Sequence, residues 1–178
     1  MRWLSVEGIK GAIIGGVAAS IVGRPRMTAD VDAVILVDDS DWERVAESAS
    51  HYGLMPRRAD LLAFAARTRV LLLRHTASGI DVDISLGALP FEHEVVARAL
   101  AVNLKDLDLR IATGEDLVIM KALPRRPHDI ADIEGILVVH PDLDLARIRD
   151  YLREFSSALE MPEIQDDFER LLRRVRRS

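Results

Sequence analysis

Two short stretches carry paired carboxylates in strand-like surroundings. Asp30-Val31-Asp32 opens the apolar run Ala33-Val34-Ile35-Leu36, and Ile80-Asp81-Val82-Asp83-Ile84-Ser85 repeats the arrangement later. Strand side chains alternate faces, so each pair of aspartates points one way. Aspartate is depleted in strand interiors, and carboxylates sharing one point repel each other unless a cation stands between them. A hard divalent ion such as Mg2+ prefers such oxygens. Upstream, Ile13-Ile14-Gly15-Gly16-Val17-Ala18-Ala19 sets a glycine pair between an apolar run and a short apolar helix. There, backbone N–H groups can approach a phosphate closely. Metal and phosphate together point to a nucleotide site. The plainer readings are a tight Gly-Gly turn, a solvated strand end for Asp30 and Asp32, and an edge strand with a polar face for Asp81 and Asp83.

Further candidates lie outside these stretches. Lys121 sits in the apolar helical run Leu117-Val118-Ile119-Met120-Lys121-Ala122-Leu123. A cation there needs an acidic partner or a ligand, unless its stem carries it to solvent. Asp129 and Asp132, three apart, share one helical face. Arg24 and Arg26 flank Pro25 ahead of Thr28; arginine suits phosphate, although exposed turn arginines are commonly just solvated. His51, His75, His93 and His140 form no ligand spacing. Arg170, Arg173, Arg174, Arg176 and Arg177 make a basic end that suits a helix C-terminus, with an RNA contact as the rarer alternative.

Composition narrows the class. The chain has 178 residues, 49% hydrophobic and 30% charged, which describes a soluble globular protein. Absence of cysteine excludes disulfides, thiolate zinc sites and cysteine nucleophiles. Glu7 comes too early for a secretory signal and no apolar run could span a bilayer, so a cytoplasmic protein without membrane contact is expected. A net charge of −5 argues against a broad nucleic-acid surface but leaves room for a local basic patch. Of the 24 basic residues only Lys10, Lys105 and Lys121 are lysines.

The elements that must position these residues follow from periodicity and punctuation. Strands are expected over Ala12–Ile14, Val31–Val37, Arg69–Arg74, Ile80–Leu86 and Leu107–Ala112. Helices are expected over Val17–Val22, Asp41–Tyr52 (capped by Ser40 and closed by Gly53), and Pro90 to about Ala101. Later ones run from a capping box at Thr113-Gly114-Glu115-Asp116 to Leu123, from Pro127 to Val139, and over Leu143–Leu159 and Pro162–Arg177. Leu61–Ala66 is ambiguous. Early mixing and late helices predict an α/β (α+β) fold: a mixed β-sheet flanked by helices, with a helical C-terminal part. One domain over 1–140, with C-terminal helices 141–178 packed on it, is the expected organisation.

In order and spacing these motifs resemble the nucleotidyltransferase (DNA polymerase beta-like) superfamily. There, an apolar residue and Gly-Gly or Gly-Ser precede an Asp-x-Asp or Asp-x-Glu on a strand; here thirteen residues lie between Gly16 and Asp30. Val82-Asp83-Ile84-Ser85-Leu86-Gly87 followed by Pro90-Phe91-Glu92 is similar to small bacterial members, which makes Asp83 the third acid and Asp81 its backup. Arg-Pro-Arg-x-Thr before the acidic pair also matches small relatives. The segment Glu115–Ile133, with its lysine, arginine turn and Asp-x-x-Asp, resembles minimal and AbiEii-like toxin-type members. The resemblance spans roughly Ile9 to Leu137. Gly16 stands where many relatives carry serine, and His128 replaces a common lysine.

This resemblance implies a nucleoside triphosphate (NTP) co-substrate and two Mg2+ ions, with Mn2+ as a substitute, held by Asp30, Asp32 and Asp83. Asp83 would also help deprotonate the acceptor hydroxyl that attacks the α-phosphate. Lys121 would reach the triphosphate, oriented with a nearby arginine by Asp129 and Asp132. Gly15, Gly16, Arg24, Arg26 and Thr28 would line the phosphates. Such relatives modify tRNA 3′ ends, proteins or small molecules, and a toxin paired with an antitoxin partner is one form. The alternative is a catalytically silent member that binds nucleotide or a partner protein.

Overall fold

The computed structural model describes residues 2–105 and 107–177. In chain order the elements are α1 (Arg2–Val6), β1 (Lys10–Ile14), α2 (Gly15–Val22), β2 (Asp30–Leu36), α3 (Trp42–Ser50), β3 (Leu54–Pro56), α4 (Leu61–Thr68) and β4 (Val70–His75). There follow β5 (Asp81–Leu86), α5 (Pro90–Arg98), β6 (Leu100–Leu104), β7 (Leu107–Ile111), α6 (Gly114–Ala122), α7 (Pro127–Val139), α8 (Leu145–Ala158) and α9 (Glu163–Val175). The expected mixed α/β fold is present. Among the described residues no helix is long and apolar enough to cross a membrane.

The chain divides into two compact units: Met1–Val17 with Thr28–Ala112, and Ala18–Met27 with Thr113–Ser178. The first contains the whole sheet, in the order β3-β4-β5-β2-β1-β7-β6. Strand β2 is its middle strand, antiparallel to β1 and parallel to β5. Alternation along these strands separates two faces. Ile35, Leu71, Leu73, Ile84 and Leu86 turn to one face and join Trp3, Leu4, Trp42, Val45, Leu61 and Ala65 in a buried cluster. The aspartates take the opposite registers of β2 and β5 and share the other face. That inversion is the useful part of the fold: apolar residues secure the strands from behind while the carboxylates stay in front.

The second unit holds α6, α7, α8 and α9, where Leu117, Ile133, Ile136, Ile148, Leu152, Ile164 and Phe168 are buried. Thr113 caps α6 as expected, its Oγ1 accepting from the Asp116 N–H at 3.2 Å. The Asp116 carboxylate accepts from Arg147 instead, Nη2 lying 2.9 Å away. Arg69, at φ 54°, closes the ambiguous segment as a helix.

Three boundary expectations need correction. Ser40 does not cap α3, because Asp39–Asp41 forms a short 3-10 turn and the helix starts at Trp42. The helix from Pro90 ends at Arg98: Ala99 is extended, and Leu100–Leu104 pairs with β7 as a further strand. The helix after the glycine pair begins at Gly15 itself, straight from the strand.

Candidate active site

In the first unit the register brings the acids side by side. Asp30 lies opposite Asp81 and Asp32 opposite Asp83 across the parallel β2–β5 pair. Neighbouring strands are about 4.8 Å apart, so four carboxylates occupy one small patch. Thr28 donates its hydroxyl to Asp30 Oδ1 at 2.9 Å, steadying that side chain. Gly15 has φ +62° and lies against Asp32: a Cβ built there would overlap the carboxylate. Gly15 therefore serves two needs, a left-handed turn from β1 into α2 and room for Asp32 beside the helix start. Gly16 follows in the first turn of α2, where N–H groups have no helical acceptor.

Arg57, a residue without a sequence signal, stands among these acids. Its Nη1 donates to Asp81 Oδ2 at 2.8 Å and its Nη2 ion-pairs with Asp83. Arg74, directly across β4 from Asp81, donates to the other Asp81 oxygen at 2.6 Å. Arg57 arrives by way of the edge strand β3, its N–H bonding to Leu72 O at 2.9 Å. Sequence inspection misses it because a three-residue strand with a proline leaves no periodic trace. The Asp83 carboxyl is pushed above the usual aspartate range chiefly by burial; the Arg57 guanidinium opposes the shift, and the charges of Asp30 and Asp81 add to it.

A cation suits this patch by donor chemistry, since the oxygens of Asp30, Asp32 and Asp83 are hard ligands brought to one face of the sheet. The spacing is not that of a formed cage. Among the described residues no group of three or more His, Asp or Glu side chains could hold a metal ion as it stands, and a guanidinium takes the Asp83 position.

The second unit gathers Lys121, Asp129 and Asp132 into a buried ion cluster. Lys121, only 6% exposed, places Nζ 2.8 Å from Asp132 and 3.4 Å from Asp129. Escape of the lysine to solvent is thereby ruled out. Arg26 grips Asp132 with Nε and Nη2 at 2.6 and 2.8 Å, and Arg126 grips Asp129 through Nε at 2.7 Å. Burial alone would raise both aspartates; hydrogen bonds from Arg126 and Arg26 and the nearby Lys121 outweigh it, and both carboxyls end below the usual range. His128 Nε2 lies 3.6 Å from Asp129 Oδ1. Arg24 is exposed, its backbone packed on Gly135. Arg26 joins this cluster, whereas Thr28 belongs with Asp30 in the first unit.

Comparison with known proteins places this geometry in context. The family described as "Nucleotidyltransferase of unknown function (DUF6036)" matches residues 6–175. No curated protein matches significantly. Among solved structures, an antigenic nucleotidyltransferase-like protein from Paracoccidioides brasiliensis is 18% identical, with 97% of this chain and 88% of that chain covered and a TM-score of 0.57. The antibiotic-resistance factor ANT(2'')-Ia is 12% identical over 94% of this chain and 92% of that one, TM-score 0.58; it has also been solved in complex with adenylyl-2''-tobramycin. The lincosamide antibiotic adenylyltransferase LnuA, lincomycin-bound, is 13% identical over 78% and 92%, TM-score 0.54. At these identities the structural likeness is one of fold.

Proposed function

The chain belongs to the DUF6036 family of nucleotidyltransferases, and from that premise we propose that it transfers a nucleoside monophosphate from an NTP to a hydroxyl of a small-molecule acceptor. The observation that carries this reading is the in-register placement of Asp32 beside Asp83, with Asp30 on the same face and the Gly15 turn alongside. Asp30, Asp32 and Asp83 would hold divalent ions, Mg2+ or Mn2+, which when bound supply charge neutralisation at the phosphates and acidify the acceptor hydroxyl. The protein's own groups do the rest. Asp83, its proton affinity already raised, accepts the acceptor's proton; Thr28 fixes Asp30; and N–H groups at Gly15 and Gly16 offer donors to phosphate oxygens. Within the second unit, Lys121 and Arg26, set by Asp129 and Asp132, and the exposed Arg24 are cations of a kind that suits phosphate oxygens.

A small acceptor is favoured over a polyanion by the net charge of −5. It is also in keeping with fold neighbours that carry adenylyl-tobramycin and lincomycin. The test is incubation with each α-labelled NTP and Mg2+ in the presence of tobramycin, lincomycin, tRNA or a protein extract. Label on a hydroxylated small molecule is expected, with Asp83→Asn slowing transfer by about a hundredfold or more. Label on tRNA or protein would reassign the acceptor. NTP binding without transfer to anything would move the protein to the silent class.

A further inference from the structure

Four aspartates share the front of the sheet, and a three-carboxylate scheme leaves Asp81 without a task. Arg57 supplies one. Its guanidinium bridges two carboxylates, Nη1 on Asp81 and Nη2 on Asp83. Its Nε is buried and, among the described residues, has no hydrogen-bond acceptor. A structural arginine would be expected to satisfy that donor. Here the guanidinium is committed to the acids at both ends and to nothing at its root, which suits a group that changes partner.

We propose that Arg57 is a resident counter-cation for the third acid, and that a divalent ion is held at Asp83 only when Arg57 moves wholly onto Asp81. The inference rests on the metal site assigned above to Asp30, Asp32 and Asp83. The position Arg57 occupies is where a cation would neutralise Asp83, and two cations compete for one carboxylate. Asp81 is the receiving group, already bonded to Nη1 at 2.8 Å and held from the far side by Arg74 at 2.6 Å. Arg57 is thus a positioning residue. It keeps the acids from repelling in the metal-free protein and makes metal entry conditional, so that stray divalent ions are held weakly until nucleotide adds its own ligands.

The test is Mn2+ binding without nucleotide, followed by electron paramagnetic resonance, on wild type, Arg57→Gln and Arg57→Lys. Loss of the competing charge in Arg57→Gln should tighten Mn2+ by about tenfold. Arg57→Lys, which keeps the charge, should stay near wild type. Equal or weaker binding by Arg57→Gln, or equal tightening in both variants, overturns the proposal. In parallel, the Arg57 Nε–H signal of the wild-type protein, identified by its loss in Arg57→Lys, is followed by NMR as Mg2+ is added. That signal should shift on saturation; a signal unmoved at saturating Mg2+ also overturns the proposal, even if Arg57→Gln does not fold. If wild type and both variants bind no Mn2+, and Asp30→Asn and Asp32→Asn change nothing, the metal site itself fails rather than the role of Arg57.

Discussion

Lys121, Asp129 and Asp132 form a charged cluster where solvent cannot repair a broken contact. Removing one member of a buried ion pair leaves its partner uncompensated, which costs about 3–5 kcal/mol. Asp132→Ala, which removes the bidentate partner of Arg26 and the nearer acid of Lys121, should fall toward the lower end of that range by urea unfolding. The same carboxylates set an acid limit. Because the folded-state pKa values of Asp129 and Asp132 are depressed, their stabilisation is present above the unfolded aspartate value and is lost as pH falls through the folded values. Thermal melts should therefore decline below about pH 4 and keep declining beneath the ordinary aspartate range. Asp83 works in the opposite sense, since its raised value means that ionisation disfavours the folded protein as pH rises through it. Replacing Asp83 with asparagine should remove that penalty, so the variant should melt no lower than wild type at pH 7 while losing transfer. Gly15→Ala combines a left-handed backbone with overlap at Asp32. It should cost about 1–2 kcal/mol from the backbone alone and more from the displaced carboxylate, read as a lower melting temperature and weaker Mn2+ binding.

At the scale of elements, α6 depends on a single side-chain cap. Thr113→Ala should remove about 1 kcal/mol, measured by denaturant midpoint. The helix and strand plan was legible where residues repeat with a period. Strands β2 and β5 could be read from their apolar alternation, and α7 from Pro127 and its apolar face. The short strand β3 was not, because three residues ending in a proline carry no period, and β6 was not, because it is exposed on both faces. The site divided in the same way. Asp30, Asp32 and Asp83 announced themselves as carboxylates in apolar strands, a pattern costly enough to need a cause. Arg57 could not, since its place among the acids comes from β3 pairing with β4, a contact between distant parts of the chain. The ambiguity at Leu61–Ala66 had a similar origin: an apolar run of that length suits either structure, and only packing on β4 decides.

For the whole molecule, the family match extends over residues 6–175, and a ligand held only by the folded protein adds to its stability. A nucleotide bound only by the folded state, at a hundred times its dissociation constant, should add about 2.7 kcal/mol of stability. The preferred NTP is then the one that raises the melting temperature most in the presence of Mg2+, an effect Asp32→Asn should abolish. Arginine supplies nearly all the positive charge, and that choice has an experimental consequence. The side chains of only three residues, Lys10, Lys105 and Lys121, carry primary amines, and the first two are exposed while Lys121 is buried. An acylating reagent should mark Lys10 and Lys105 at once and Lys121 only as often as its helices open. Peptide mass spectrometry over time would thus turn one amine into a clock for breathing around the ion cluster, running faster in Asp132→Ala and slower with nucleotide bound.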